Sequence, residues 1–107
     1  MLISKDEQIL NLLGLAMRAG KLVLGSDSTL TAIRGNKVQM AFFPSDGGQS
    51  QSKKFADKSS FYNVTLIQDY TKRQLTDAIG VNRSVFAIAD RGFSRKIKQL
   101  ISEKERN

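Results

Sequence analysis

Helix signals and strand signals alternate from one end of this 107-residue chain to the other, and this alternation limits its fold more than any other feature. Segments of helical period are separated by four short apolar runs: KLVLG, KVQMAFF, VTLI and VFAIA. Strands separated by helices form a parallel or mixed sheet covered by helices. We therefore predict a single domain, residues 1–107, folded as a three-layer α/β/α sandwich around a mixed four-stranded sheet in the order αβαβαβαβα.

Capping signals predict where several helices begin. Ser4 and Glu7 form a capping-box pattern for the first helix, residues 71–74 repeat it for the fourth, and Asp90 is placed to cap the last. Gly14, inside the first helix, predicts close packing against a neighbour, because glycine lowers helix stability unless its small size is needed. Residues 44–52 are predicted to form a polar loop, with a helix over residues 53–62.

The chain has no cysteine and no histidine. This excludes disulfides, the usual zinc sites and every Ser-His or Cys-His nucleophile pair. Ser50 and Lys53 match the Ser-x-x-Lys pattern, but they lie in a polar loop without its companion motifs. The glycines before Lys21 do not have P-loop spacing. We predict a protein without enzymatic activity, metal or cofactor.

The charge balance favours a polyanionic partner. Seventeen lysines and arginines outweigh ten acidic residues, which gives a net charge of +7 and a pI near 10.0. Nucleic acid is the leading partner class, and a basic surface facing only solvent is the alternative. No apolar run approaches the roughly 18 residues of a membrane span, and the N-terminus lacks the pattern of a signal peptide. We expect a cytoplasmic protein with no membrane partner.

The stretch KLVLGSDSTLTAIRGNK, residues 21–37, has two interpretations. Ser26 or Asp27 is placed to cap the second helix in the ordinary way. Alternatively, the helix start binds nucleic acid: it has unpaired amides, Gly25 lets a backbone approach closely, and short polar side chains can bond to base edges. In that case the flanking charge comes from Lys21, Arg34 and Lys37.

Four separated blocks carry a family resemblance: LLGLAMRAGKLVLG, AIRGNK, VTLI with TKRQLTDAIG, and VFAIADRGFSRKI. Their order and spacing resemble the kink-turn-binding ribosomal protein superfamily, of the archaeal large-subunit seven-Ae and thirty-e type, and especially its YlxQ-like bacterial members. The resemblance extends from Ile9 to about Leu100. It implies an α/β/α sandwich that holds a sharply bent RNA between the start of the second helix and one nearby loop.

The family's RNA-binding motif, Gly-x-Asn-Glu-x-x-Lys, is only partly retained here. Gly25 matches its glycine, whereas Asp27, Ser28 and Thr31 stand at the asparagine, glutamate and lysine positions. The family's specificity loop falls on residues 81–85. Hydrogen bonds to charged groups are worth about 1.5–3 kcal/mol each, so these departures imply an RNA contact that is weaker, altered in specificity, or made within a ribosome.

These observations predict an RNA-binding protein of the ribosome or translation, whose partner is ribosomal RNA or another kink-turn-containing RNA. The candidate RNA-binding residues are Lys21, Gly25, Ser26, Asp27, Ser28, Thr31, Arg34, Lys37, Asn82, Arg83 and Ser84. Lys53, Lys54 and Lys58 are interpreted as a solvated helix face, with phosphate contact at the rim as the alternative. Two other functions are considered: a protein-interaction module that has lost RNA recognition, and an RNA-recruiting subunit of a modification enzyme.

Overall fold

The computed structural model describes residues 3–106. Within this range five helices alternate with four strands, in the predicted order. The helices are α1 (Lys5–Arg18), α2 (Ser26–Arg34), α3 (Gln49–Phe61), α4 (Lys72–Ile79) and α5 (Arg91–Glu105), and the strands are β1 (Leu22–Leu24), β2 (Met40–Phe42), β3 (Thr65–Ile67) and β4 (Phe86–Ile88). Of the helices in this range, none has both the length and the apolar character needed to span a membrane.

The strands form one mixed sheet in the order β1-β4-β2-β3. β4 pairs antiparallel with β1 and with β2, and β2 pairs parallel with β3. The register aligns Phe86, at the start of β4, with Leu24 and Phe42, which end their strands. We call this the Phe86 end of the sheet, and the opposite end, where β4 finishes, the Ile88 end. The predicted fold class, including the mixed sheet, is confirmed.

Side chains that alternate along the strands fill two cores, one on each face of the sheet. On one face the rings of Phe42 and Phe86 stack with centroids 5.3 Å apart, and this core is completed by α1, α4 and α5. On the other face the rings of Phe43 and Phe55 lie 5.1 Å apart in a core shared with α2 and α3. Helices therefore cover both faces, as the apolar strands require.

α1 and α4 approach each other closely at Gly14, as its position in the first helix predicted. Gly14 is buried, and a Cβ built on it would lie only 2.8 Å from the carbonyl oxygen of Ala78. A carbon and an oxygen without a bond between them do not normally come so close. The missing side chain thus allows the backbones of the two helices to pack at this distance.

The three predicted caps are present at α1, α4 and α5. Ser4 Oγ accepts a hydrogen bond from the amide of Glu7 at 3.1 Å, and Asp90 Oδ2 accepts one from the amide of Phe93 at 2.8 Å. At α4 the capping box of Thr71 is complete in both directions. Side-chain oxygens thus satisfy amides that the first helical turns leave unpaired.

α3 begins earlier than the sequence predicts. It starts at Gln49, so the second half of the predicted loop 44–52 is helical. Ser52, in the first turn, accepts a 2.8 Å hydrogen bond from the Nε2 amide of Gln68. This contact joins the first turn of α3 to the segment after β3, which lies far away in the sequence. A local pattern of polar residues could not reveal it.

A polar cluster joins the start of α1, the segment before α4 and the end of α5. Asp6 Oδ1 accepts hydrogen bonds from the hydroxyl of Tyr70 at 2.8 Å and from Nζ of Lys104 at 2.9 Å. Nζ of Lys104 also lies 3.0 Å from Asp69 Oδ2. The bonds from Lys104 and Tyr70 lower the pKa of Asp6, while burial and the bond to Asp6 raise the pKa of Tyr70.

Candidate nucleic-acid interface

Strand pairing brings the start of α2 next to the segment that precedes β4. Because Leu24 is aligned with Phe86, the residues that follow β1 meet the residues that precede β4. The amide of Gly25 donates a 2.9 Å hydrogen bond to the carbonyl oxygen of Val85. The two halves of the predicted site, the helix start and residues 81–85, therefore lie side by side at the Phe86 end of the sheet.

The N-cap of α2 is Gly25, so the prediction that Ser26 or Asp27 caps this helix is wrong. Gly25 has φ +95° and ψ 156°, a backbone conformation that glycine adopts readily and that L-residues adopt rarely. Its amide already pairs with Val85, so the chain turns into the helix at once. Ser26 and Asp27 therefore lie within the first turn, where they cannot cap it.

The start of α2 has unsatisfied backbone donors. No side chain caps the helix, and within residues 3–106 the amides of Ser26, Asp27 and Ser28 have no protein acceptor. Such amides, with the positive end of the helix dipole, attract an acceptor group. The exposed carboxylate of Asp27 opposes a phosphate at this point, so the site is better suited to a base edge that offers both donors and acceptors.

One face of α2 continues this surface away from the helix start. Asp27, Ser28 and Thr31 are exposed and line a shallow groove together with Val23 of β1 and Lys37. Thr29 faces the opposite way: it is fully buried, and its hydroxyl donates to the carbonyl of Val23 at 3.4 Å.

Val23 was not among the predicted site residues. The alternation of side chains along β1 could have indicated that Val23 lies beside α2. Leu22 and Leu24 pack into the core on one face of the sheet, and Val23 packs into the core on the other face, which contains α2.

Residues 81–85 form a short turn after α4. Gly80 ends that helix in the left-handed conformation, with φ 77°, and the amide of Arg83 donates to the carbonyl of Val81 at 2.8 Å. Asn82 and Arg83 are exposed, and Ser84 is half-buried. Nη1 of Arg83 donates to the carbonyl of Asn82 at 3.0 Å. The remaining guanidinium donors point to no carboxylate within the described part of the chain, so they are available to a ligand.

Three basic residues of the candidate set lie away from Gly25. Lys21 precedes β1, and its carbonyl accepts a 2.8 Å hydrogen bond from the amide of Ala89 just beyond the Ile88 end of the sheet. Arg34 ends α2, whose nine residues span about 13 Å, and Lys37 lies beyond it. The structure thus separates Lys21, Arg34 and Lys37 from the helix start, because an entire strand or helix intervenes.

Among residues 3–106 no three acidic side chains come close enough together to hold a metal ion. The donors and acceptors described above are backbone amides, hydroxyls, one amide side chain, one carboxylate and one guanidinium, the groups with which proteins contact bases and phosphates.

Two bacterial RNA-binding proteins are similar to this chain along most of its length. The chain is 42% identical to the RNA-binding protein YlxQ of Enterococcus faecium over 95 residues, which cover 89% of this chain and 92% of that protein. It is 34% identical to the RNA-binding protein YlxQ of Bacillus subtilis (strain 168) over 91 residues, 84% of this chain and 91% of the other.

Two solved structures share the fold. A protein of unknown function from Bacillus halodurans C superposes with a TM-score of 0.83 and 36% identity, covering 88% of this chain and 96% of the other. The 15.5 kD RNA-binding protein of Giardia lamblia superposes with a TM-score of 0.79, covering 98% and 92%. At 14% identity the Giardia protein supports the fold alone. Residues 7–98 match the family model of the ribosomal protein L7Ae/L30e/S12e/Gadd45 family, and the chain belongs to this family.

Proposed function

We propose that this chain acts as a single RNA-binding domain, without enzymatic activity, in the ribosome or translation machinery of the cytoplasm. Its partner in this proposal is a structured, kink-turn-like RNA, bound by the start of α2 and residues 81–85. One observation carries the proposal: the hydrogen bond from Gly25 to Val85 joins the helix start, with its uncapped amides of residues 26–28, to the segment that contains the exposed Asn82 and Arg83. A helix start without a protein acceptor is suited to a base edge, and the remaining guanidinium donors of Arg83 are suited to a phosphate of the same RNA.

Charge and relatives support RNA as the ligand class. The net charge of +7 attracts polyanions such as RNA without regard to their sequence. Two bacterial relatives, at 42% and 34% identity, are RNA-binding proteins that align along most of this chain.

The side chains at the helix start favour hydrogen bonds to base edges, with a moderate binding affinity. Asp27 and Ser28 offer oxygens that can accept hydrogen bonds from bases, while the amides behind them donate. In the family motif a charged glutamate and lysine stand where this chain has Ser28 and Thr31. Each lost charge-assisted bond lowers the binding free energy by about 1.5–3 kcal/mol, so we propose weaker kink-turn binding than in relatives that keep both charges.

The test is a binding titration against a kink-turn RNA and against a straight duplex of matched length, over a series of salt concentrations. Ser26→Pro and Ser26→Ala form a matched pair of variants. Both remove the hydroxyl, but only proline removes the amide at the first helical position, where proline is well tolerated. We expect Ser26→Pro to weaken kink-turn binding several-fold relative to Ser26→Ala, because one hydrogen bond is worth about 0.5–1.5 kcal/mol.

The duplex separates recognition from simple charge attraction. We expect wild type to prefer the kinked RNA and both Ser26 variants to bind the duplex equally. Equal binding of the two RNAs with a steep salt dependence, and no difference between Ser26→Pro and Ser26→Ala, would contradict the proposal. That result would favour a protein-interaction module that has kept the fold. Sedimentation with ribosomal subunits, lost in Ser26→Pro, tests the association with the ribosome.

A further inference from the structure

Three cations form a row along the first half of α5. Arg91, Arg95 and Lys98 are spaced at i, i+4 and i+7, and all three are exposed. This spacing places them on one face of the helix. Within residues 3–106 none of them forms an ion pair. The row is therefore a set of unneutralised positive charges with a common direction.

This row forms one wall of a surface groove at the Ile88 end of the sheet. Two adjoining hollows, of about 240 and 250 Å³, share Gln39, Arg91 and Ser94 in their linings. The first also includes Lys37, and the second includes Arg95 and Lys98. We call the surface formed by Lys37, Gln39, Arg91, Ser94, Arg95 and Lys98 the α5 groove.

The positions of these cations do not serve the stability of α5. Positive charges near a helix start oppose the helix dipole, and like charges at i and i+4 repel each other. Arg91 is the first residue of α5, and Arg95 lies one turn further along. Asp90, the carboxylate beside this row, is engaged in capping the amide of Phe93. A ligand with negative charge offsets this repulsion when it occupies the groove.

The dimensions favour a phosphodiester strand over a small molecule. The two hollows adjoin at Gln39, Arg91 and Ser94, so the groove follows the row of cations along α5. Along α5, Arg91 and Lys98 are separated by about 10 Å of helix axis, which matches the axial rise of about three phosphates of one strand when the duplex axis runs along α5. Gln39, Ser94 and the arginines supply hydrogen-bond donors, and arginine pairs with phosphate through two donors at once.

Lys37 connects this groove to the surface beside α2. It lines the first hollow of the α5 groove, and it also lines the shallow groove that runs along α2 from Asp27, Ser28 and Thr31. The two grooves therefore meet at Lys37, and Asp27 and Asp90 are the acidic residues among those that line them.

We infer that the α5 groove is a second RNA contact, which binds the phosphodiester backbone of a stem extending from the RNA at the start of α2. The inference rests on the proposed RNA-binding function for the class of ligand, but it concerns different residues. It assigns to Lys37 a position between the two contacts. The recognition of sequence and bending remains with the start of α2, and the groove adds affinity that depends on stem length.

The test compares two variants that lose equal charge. The groove variant is Arg91→Gln/Arg95→Gln/Lys98→Gln, and the control is Lys53→Gln/Lys54→Gln/Lys58→Gln on α3, which packs on the other face of the sheet. Each protein is titrated against a kink-turn RNA with minimal stems and against the same RNA with each stem in turn lengthened by one helical turn. Circular dichroism verifies that the variants fold, and removal of charge from the start of α5 is expected to raise the Tm of the groove variant.

We expect that lengthening one of the two stems lowers the Kd of wild type and of the control. This decrease should be at least tenfold larger than the decrease seen for the groove variant. The slope of log Kd against log salt should fall by roughly 2 to 3 in the groove variant with that RNA, since each contacted phosphate contributes about 0.9. With minimal stems the groove variant and the control should bind equally.

Two results would overturn the inference. If the groove variant and the control both bound every RNA more weakly than wild type, and by the same factor, the charges would act only through the net charge of the protein. If the groove variant bound every RNA as tightly as wild type, the α5 groove would not contact RNA, and an acidic protein surface would be the remaining candidate ligand. Failure of the α2 site is distinct from both: wild type would then bind kinked and straight RNA equally, while the groove variant would still bind the straight duplex more weakly than the control does.

Discussion

The amide of Gly25 and the carbonyl oxygen of Val85 lie 2.9 Å apart in a hydrogen bond that joins the N-cap of α2 to the residue before β4. Sixty positions of sequence separate these residues, yet the bond places the helix start and residues 81–85 in one surface. Gly25 makes this bond with its backbone at φ +95°. The conformation of this glycine and the pairing of β1 with β4 thus bring the two halves of the candidate interface together.

Gly25→Ala is expected to lower the free energy of unfolding by about 1–3 kcal/mol, because an L-residue is strained at positive φ. Clash with residues beyond its two chain neighbours does not contribute, since a Cβ on Gly25 meets none of their atoms within 4 Å. Gly48→Ala is the matched control: Gly48 is also an N-cap with open space around it, but its φ is −63°. Urea denaturation of both variants isolates the strain. Equal stabilities would show that the backbone at residue 25 relaxes.

Gly14→Ala is expected to destabilise the contact between α1 and α4. The new Cβ would lie 2.8 Å from the carbonyl oxygen of Ala78, which belongs to the backbone and cannot rotate away. Overpacking of about 1–3 kcal/mol exceeds the roughly 1 kcal/mol that alanine gains over glycine in a helix. Asn11→Ala, at an exposed position of the same helix, should change the unfolding free energy by less than about 0.7 kcal/mol. A Tm of Gly14→Ala at or above that of wild type would contradict the prediction.

The stability of the fold should decrease in acid through Asp6. Its pKa is lowered from the usual 3.8 in the folded chain, chiefly by the hydrogen bond from Lys104 and next by the bond from Tyr70. Its stabilising contribution is therefore complete above about pH 4 and is lost as the pH falls through the folded pKa.

Urea denaturation between pH 2 and pH 7 checks the role of Asp6. Asp6→Asn should show a shallower loss of stability in acid than wild type. Glu103→Gln is the control, because the pKa of Glu103 is also lowered, by its exposed ion pair with Lys5. An acid profile that flattens in Glu103→Gln but not in Asp6→Asn would rule out the cluster at Asp6 as the cause.

Ser59→Ala is expected to preserve or raise stability. Ser59 is 2% exposed, and within residues 3–106 its hydroxyl oxygen has no hydrogen-bond partner. Burial of an unpaired hydroxyl is unfavourable by about 1–3 kcal/mol, so its removal is favourable. Thr29→Val serves as the contrast, because it removes a buried hydroxyl that does bond, to the carbonyl of Val23, and should lower stability by about 0.5–1.5 kcal/mol. Thermal unfolding of both variants decides; destabilisation by Ser59→Ala would show that the hydroxyl has a partner in solution.

The fold was predictable because its signals are local. Four apolar runs between amphipathic segments define the strands, and side-chain caps at Ser4, Thr71 and Asp90 each depend on residues within one helical turn. The start of α3 was less predictable, since a contact between Ser52 and Gln68 contributes to it.

The site was only partly predictable because contacts between distant residues assemble it. Gly-Ser-Asp-Ser has the local pattern of a side-chain cap, but the bond from Gly25 to Val85 makes Gly25 the cap and leaves the following amides free. Lys21 precedes the strand that Gly25 follows, and the sheet register places Lys21 at the Ile88 end and Gly25 at the Phe86 end. The spacing of Arg91, Arg95 and Lys98 is visible in the sequence, but the opposite wall of their groove is formed by Gln39 of a distant segment.

Both edges of the sheet are short. β1 and β3, the outer strands, contain three residues each, and they offer few free backbone groups to a strand from another molecule. Long, unprotected edges are where sheet proteins associate and aggregate. In this chain β4 and β2 lie inside the sheet, so their backbones are already paired on both sides and are closed to a strand from another molecule.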